Sequence, residues 1–349
     1  MIGIICIIDL EYIPYLTKYT DYFDSVNEQY EIIYWKRMNT ESQTKYKTIP
    51  YDRSTELATP KNKKFTSFWG YSKFVNKKIR QRKYDKLVVL STLMGGLIRG
   101  LLVNEYQNRF IFDIRDYTYE RYRLFKKIEE QIISSSCFTA ISSEGYLEFL
   151  PPSKKYVLCH NFLKSEIDEK RKFKKSDVLP LELTFIGAVR HFDLDKKVVD
   201  EFSKDERFKI VFHGYGASYC RLSTYCQDKP VLLTGKYDRK DKERLLNSSD
   251  IINSYYDEND IANRFALSNK FYDAAIYRKP LWANPDTYIG QLAITKGIGI
   301  NCKIEPALMY KQYCDIVPEI FEESCKNVVK EIIRDDDLFL QRLRCFIEI

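Results

Sequence analysis

Asn269-Lys270-Phe271-Tyr272-Asp273, closed by Arg278-Lys279-Pro280, is the stretch whose residue types are best placed to do chemistry. Asn269 reads as a helix N-cap, Lys270 as the first helical residue, and Asp273 returns to the same face four residues after Asn269. Backbone N–H groups and the positive end of the helix dipole favour an anion at such a start, and Lys270 adds a full charge. A carboxylate one turn in can accept hydrogen bonds from sugar hydroxyls. Together these groups suit a nucleotide diphosphate carrying a ribose. The alternative is an ordinary capped helix with a solvated lysine.

Four other clusters sit where strands should end. Gly187-Ala188-Val189-Arg190-His191 follows Leu183–Ile186 and offers a small-residue turn with a cation for a phosphate. His213-Gly214-Tyr215-Gly216 follows Lys209–Phe212, and its glycines would let a ligand approach the backbone. Ser91-Thr92-Leu93-Met94-Gly95-Gly96 is a capped turn into a helix, and Asp113-Ile114-Arg115-Asp116 sets two carboxylates around a guanidinium. Singly, each is compatible with plain turn geometry. Their shared placement at strand ends carries the weight, because open parallel sheets bind ligands there.

The elements that must position these residues are legible as apolar runs. Strands are expected at Ile4–Asp9, Tyr30–Trp35, Lys86–Ser91, Phe110–Asp113, Phe138–Ser142 and Tyr156–Asn161. A second set is expected at Leu183–Gly187, Lys209–Gly214, Val231–Gly235, Asp250–Tyr256, Pro280–Asn284 and Ile298–Asn301. Helical stretches such as Tyr119–Ile133 alternate with them, which predicts parallel sheets covered on both faces. The expected organisation is an α/β chain of two Rossmann-like doubly wound domains. The first is 1–162, a charged linker 163–181 contains Glu169-Lys170-Arg171-Lys172-Phe173-Lys174-Lys175, and the second is 182–325. A helix over 326–349, with a polar break at Asp335-Asp336-Asp337, is expected to return toward the first domain.

Composition narrows the function classes. A chain of 349 residues suits two cores. No run of eighteen apolar residues occurs, and Met1–Asp9 reads as a buried strand rather than a signal peptide or membrane span. Nine cysteines without C-x-x-C spacing predict reduced packing thiols and a cytoplasmic location. His160, His191 and His213 are not at metal-ligand spacing, so no metal site is expected. Asp193-Leu194-Asp195 has the letters of a metal-binding Asp-x-Asp but reads as the acidic start of a helix.

The net charge of +7 is unevenly spread. Residues 61–86 carry ten Lys or Arg against one acid, Asp85, interleaved with Phe65, Phe68, Trp69, Tyr71, Phe74 and Tyr84. That mixture suits an anionic membrane surface. It equally suits a solvated basic helix whose rings face a core. No zinc finger, RNA-recognition signature or helix-turn-helix accompanies the charge, so nucleic acid is not the expected partner.

Several of these stretches together resemble the GT-B glycosyltransferases, in particular the family 4 type that builds capsular polysaccharides and exopolysaccharides. The resemblance is carried by Phe110–Asp116, Ala140-Ile141-Ser142-Ser143-Glu144-Gly145, His160-Asn161, Phe185-Ile186-Gly187, Phe212–Gly216, and Leu267–Asp273 with Lys279-Pro280. It implies two facing Rossmann-like domains with a cleft between them and no cofactor beyond the nucleotide-diphosphate sugar donor. By the family pattern Asp273 would bind donor ribose hydroxyls, and Lys270 with Arg190 would lie near the diphosphate. Asn269 would start the donor helix, and Gly187, Gly214 and Gly216 would make room along the cleft. On the acceptor side stand Gly95, Gly96 and Arg115, with Asp116 as candidate base or acceptor-positioning group. Asp113 pairing Arg115 to brace the strand end is the alternative for that cluster. Two departures stand out: Phe265 occupies the place of a second carboxylate, and Asp273 is one methylene shorter than the commoner Glu. The resemblance further implies retaining, metal-independent transfer to a saccharide acceptor, polyprenyl-linked, at the inner membrane face. The other class of reading is a non-catalytic GT-B-like scaffold that binds nucleotide or glycan.

Overall fold

The computed structural model of the chain describes residues 1–37, 45–52 and 61–348, with backbone alone for 61–65. Two compact units emerge, one of residues 1–161 with 334–349 and one of residues 162–333. Each is built on a wholly parallel sheet.

The first unit carries seven strands: β1 (Ile2–Cys6), β2 (Tyr30–Lys36), β3 (Thr48–Asp52), β4 (Lys86–Leu90), β5 (Phe110–Ile114), β6 (Phe138–Ile141) and β7 (Tyr156–Leu158). Their order is β3-β2-β1-β4-β5-β6-β7, so the winding reverses between β1 and β4. β1 and β5 are buried at every position, which is why they read as unbroken apolar runs rather than as alternation. β3 was not expected. Its sequence, Thr-Ile-Pro-Tyr-Asp, contains Pro50, which lacks a ladder donor and demotes a segment to an edge, and β3 is an edge strand here.

The helix Lys61–Arg82 buries Tyr71, Val75 and Ile79 at intervals of four residues. Phe68 packs edge-on against Trp35, Phe74 stacks with Tyr71, and Tyr84 is buried after the helix. The rings of this basic segment therefore mostly face the core, and Trp69 is the exposed one, with the Lys73 ammonium 3.4 Å above it. The side chain of Phe65 lies outside the described residues. Among the described residues no helix is long and apolar enough to cross a membrane.

The helix Pro318–Glu348 runs on through Asp335-Asp336-Asp337, where a break was expected. Asp336 accepts from Lys18 at 2.7 Å and Asp335 lies 3.1 Å from His160, so these acids are held by partners in the first unit. Phe339 and Phe346 then pack against Phe138. Five of the nine cysteines are buried, but Cys220, Cys314 and Cys345 are exposed and do not serve packing.

The second unit carries β8 (Leu181–Ile186), β9 (Phe208–His213), β10 (Val231–Gly235), β11 (Ile251–Asn253), β12 (Leu281–Trp282) and β13 (Gly299–Ile300). The order β10-β9-β8-β11-β12-β13 places the reversal between β8 and β11. Residues 163–181, read as a connector, pack along this unit: Phe173 is buried against Phe321 with ring centres 4.5 Å apart.

Asp113 and Arg115 form a closed buried group at the end of β5. Arg115 donates to both Asp113 oxygens at 2.5 and 2.7 Å and to the Cys159 carbonyl at 2.8 Å, and Tyr15 covers its guanidinium. Tyr19 donates to the same carboxylate at 2.5 Å. Burial pulls the Arg115 proton affinity down, but Asp113 more than restores it, so the guanidinium stays charged. Arg115 is thus a brace between strand ends rather than a group facing a ligand. Removing one partner of such a pair leaves a buried charge uncompensated. Arg115→Ala is expected to destabilise the protein by about 3–5 kcal/mol in chemical denaturation, and Asp116→Ala, at an exposed loop position, by less than about 1 kcal/mol.

Candidate functional site

The turn after β8 is fixed by glycines. Gly187 has φ +140° and Gly214, after β9, has φ +137°, where side chains are strained. A Cβ on Gly214 would stand 1.8 Å from the Gly187 carbonyl oxygen, and one on Gly216 would stand 2.3 Å from the Val189 carbonyl oxygen. The space these two glycines leave is therefore filled by the backbone of the Gly187–Val189 turn. Backbone bonds from Gly187 to His213 and from Gly214 to Gly235 then tie the ends of β8, β9 and β10 together.

Gly187 faces Lys270: a Cβ there would lie 3.6 Å from the Lys270 Nζ. Lys270 lies in the first turn of the helix Asn269–Tyr277, whose N-cap is Ser268 and not Asn269. The Ser268 hydroxyl meets that of Ser254 at 3.0 Å, which anchors the helix start to the end of β11. The helix closes at Arg278 in the left-handed conformation, φ 56°, where glycine is usual.

Lys270 is 6% exposed. Its ammonium donates to the Tyr256 hydroxyl at 2.8 Å and sits 4.3 Å from the centre of the Phe185 ring. Among the described residues no carboxylate lies within ion-pair distance of it. A buried cation without a carboxylate is costly to hold, and its natural complement is an anion at the helix start. The position is the reversal between β8 and β11, where open α/β sheets take ligands. His191, from the β8 turn, packs edge-on to Tyr256 at 5.6 Å, and burial holds its pKa below the usual imidazole range.

Asp195 stands in the first turn of the helix Phe192–Phe202 that follows. It is buried, its Oδ2 has no hydrogen-bond partner, and burial pushes its carboxyl up to about 7 against the opposing pull of Lys270. Arg190 is exposed beside this cluster.

Asp273 faces another way. Its carboxylate is 4% exposed and lies 2.6 Å from Lys242, which also binds Glu166 at 3.0 Å. Burial pushes the Asp273 carboxyl up against the pull of Lys242. Asp273 and Lys270 thus share a helix but have different partners.

Lys242, Glu166 and Tyr256 carry no spacing signal that marks them as site residues, whereas Asp195 reads from the sequence as part of the acidic start of a helix, which is where it lies. In the first unit, a Cβ on Gly95 would lie 2.5 Å from the Phe112 ring, so this glycine seats its helix on β5, and Gly96 has more room beside Phe125. Asp116 is exposed in the loop after β5.

Gly214→Ala would force the β8 and β9 turns apart and is expected to cost roughly 2–4 kcal/mol in thermal or chemical unfolding. Asp195 is an acid whose folded pKa lies above its unfolded value. Its contribution to stability is present in full below about pH 4 and is lost as pH rises through about 7. Unfolding free energy measured from pH 4 to 8 should therefore fall more steeply in the native protein than in Asp195→Asn.

No family model matches the chain, and no curated protein matches it either. Solved structures do. Sucrose-phosphate synthase from Thermosynechococcus elongatus superposes with TM-score 0.64 at 11% identity, over 99% of this chain and 94% of that one. Anabaena Alr3699/HepE in complex with UDP gives 0.65 at 8% identity, over 99% and 100%. The lipopolysaccharide outer core galactosyltransferase WaaB gives 0.59 at 10% identity, over 99% of both chains. The two parallel α/β units of this chain thus have the fold of GT-B glycosyltransferases.

Proposed function

We propose that the protein is a glycosyltransferase that moves a sugar from a nucleotide-diphosphate donor to a saccharide acceptor. The observation that carries this reading is the Lys270 ammonium, buried without a carboxylate at the start of a helix and beside the Gly187 turn. Negative charge develops on the leaving diphosphate as the glycosidic bond breaks, and a fixed cation with a helix N-terminus is the group that meets it. Arg190, exposed on the same turn, supplies a second cation. Asp116 is the base or positioning group for the acceptor hydroxyl. The transfer is retaining and needs no divalent ion, since Lys270 and Arg190 take the part a metal would play.

The acceptor is a polyprenyl-linked saccharide of a capsular polysaccharide or exopolysaccharide, used at the inner face of the membrane. Trp69 with Lys73, on the exposed side of the helix Lys61–Arg82, supports contact with an anionic surface. Asp273 takes the ribose only if Lys242 and Glu166 share it. That engagement, with Phe265 in place of a second carboxylate, favours a second reading: a scaffold that binds nucleotide without transfer.

Calorimetric titration with UDP, GDP, CMP and their sugar conjugates, with and without EDTA, separates these readings. The transferase reading expects one nucleotide to bind, unaffected by EDTA, with affinity at least tenfold weaker in Lys270→Ala, and slow hydrolysis or transfer of the matching sugar conjugate. Binding without any turnover would leave the scaffold. No binding of any nucleotide would refute both.

A further inference from the structure

We propose that the charged arm over residues 168–175 is a ligand site of its own, for a linear polyanion. The inference rests on the second unit alone and not on the reading of Lys270. The arm has no regular secondary structure, yet its residues alternate. Lys170, Lys172 and Lys174 are exposed, while Arg171, Phe173 and Lys175 between them turn inward and are anchored.

The anchors are specific. Arg171 stacks over the Tyr277 ring at 4.3 Å, donates to the Ile276 carbonyl at 3.2 Å and pairs with Glu243 at 2.6 Å. Phe173 is buried on Phe321. Lys175 donates to the carbonyls of Cys314 and Ile316, and the next residue, Ser176, donates its N–H to the Tyr313 hydroxyl at 2.9 Å. Anchoring every second residue turns Lys172 and Lys174 outward together, and Lys170 joins them from the turn in which the Arg171 N–H donates to the Asp168 carbonyl. Among the described residues none of the ammonium groups of Lys170, Lys172 and Lys174 has a carboxylate within ion-pair distance.

This row borders a groove of about 780 Å³ whose far wall includes Asn247, Tyr277 and Lys279. Six cations line it against the three carboxylates of Asp168, Glu243 and Asp250. Lys279 is already held, donating to the carbonyls of Asn247 and Ser249, so the far wall is as fixed as the arm. A pre-ordered row of uncompensated ammonium groups loses little entropy on binding repeated anions, and a groove admits a chain better than a flat surface. The aromatic groups here, Phe173 and Tyr277, are buried and offer neither a stacking face for bases nor a ring for a bilayer interface. The chemistry that fits is a flexible chain with repeated phosphate, sulfate or carboxylate groups, such as an acidic saccharide or a polyphosphate.

The test uses the full chain, a heparin-derived hexasaccharide and linear polyphosphate as probes, and fluorescence or calorimetric titration at low salt. Lys170→Gln/Lys172→Gln/Lys174→Gln is compared with a charge-matched control, Lys126→Gln/Lys127→Gln/Lys154→Gln, from the first unit. The expected result is binding of at least one probe, weakened tenfold or more in the arm variant and within twofold of native in the control. Both variants should keep the native melting temperature within about two degrees, because all six side chains are exposed. Equal losses in the two variants would reduce the effect to net charge and overturn the proposal. So would no binding of either probe, or binding only to phosphatidylglycerol vesicles.

Discussion

A buried ammonium with no carboxylate to answer it is the constraint around which the second unit is arranged. Lys270 lies among Phe185, Tyr256 and the Gly187 turn, with one phenol as hydrogen-bond partner. Desolvating a cation costs several kcal/mol unless something of opposite sign arrives. The surrounding elements make that arrival possible. β8 and β11 pair where the winding reverses, the helix Asn269–Tyr277 starts there, and the turn that borders Lys270 is held open by a residue without a side chain. Gly214 and Gly216 contribute indirectly, by letting that turn sit on the end of β9.

The two buried carboxyls near this region differ in consequence. Asp273 is absorbed into a group with Lys242 and Glu166, which ties the helix to the arm that precedes β8. Asp195 has an unpartnered oxygen and lies within the field of Lys270. A bound anion would oppose its ionisation, so ligand and proton occupancy are coupled at this end of the sheet. The first unit shows the contrasting solution. Asp113 and Arg115 satisfy one another and their neighbours completely, and such a group locks a strand end without inviting a ligand.

Much of the fold was legible because parallel strands buried on both faces read as apolar runs, and twelve such runs fall on strands. β3 escaped because Pro50 hides an edge strand. The helix does not break at Asp335–Asp337, whose acids find Lys18 and His160, partners distant in sequence, but the chain does pass into the first unit at Arg334. Gly187 and Lys270 are marked in the sequence by turn and helix-start chemistry, which is local, and the structure places them side by side. Asn269 was placed one position off, since Ser268 caps the helix through its backbone geometry. Tyr256 and Lys242 carry no local signal because they arrive from separate elements, and the sequence marks Asp195 only as a helix-start acid, without its nearness to Lys270. For Arg115 the sequence offers two readings, an acceptor-side group or a brace paired with Asp113, and the buried pair has the geometry of the brace.

Under the proposed function, the reversal between β8 and β11 would hold a nucleoside diphosphate through Lys270. A crystal structure grown with the nucleotide that binds most tightly tests it directly. A diphosphate oxygen is expected within hydrogen-bond distance of the Lys270 Nζ, at the start of the helix Asn269–Tyr277. A nucleotide bound elsewhere, with Lys270 still held by Tyr256 alone, would contradict it.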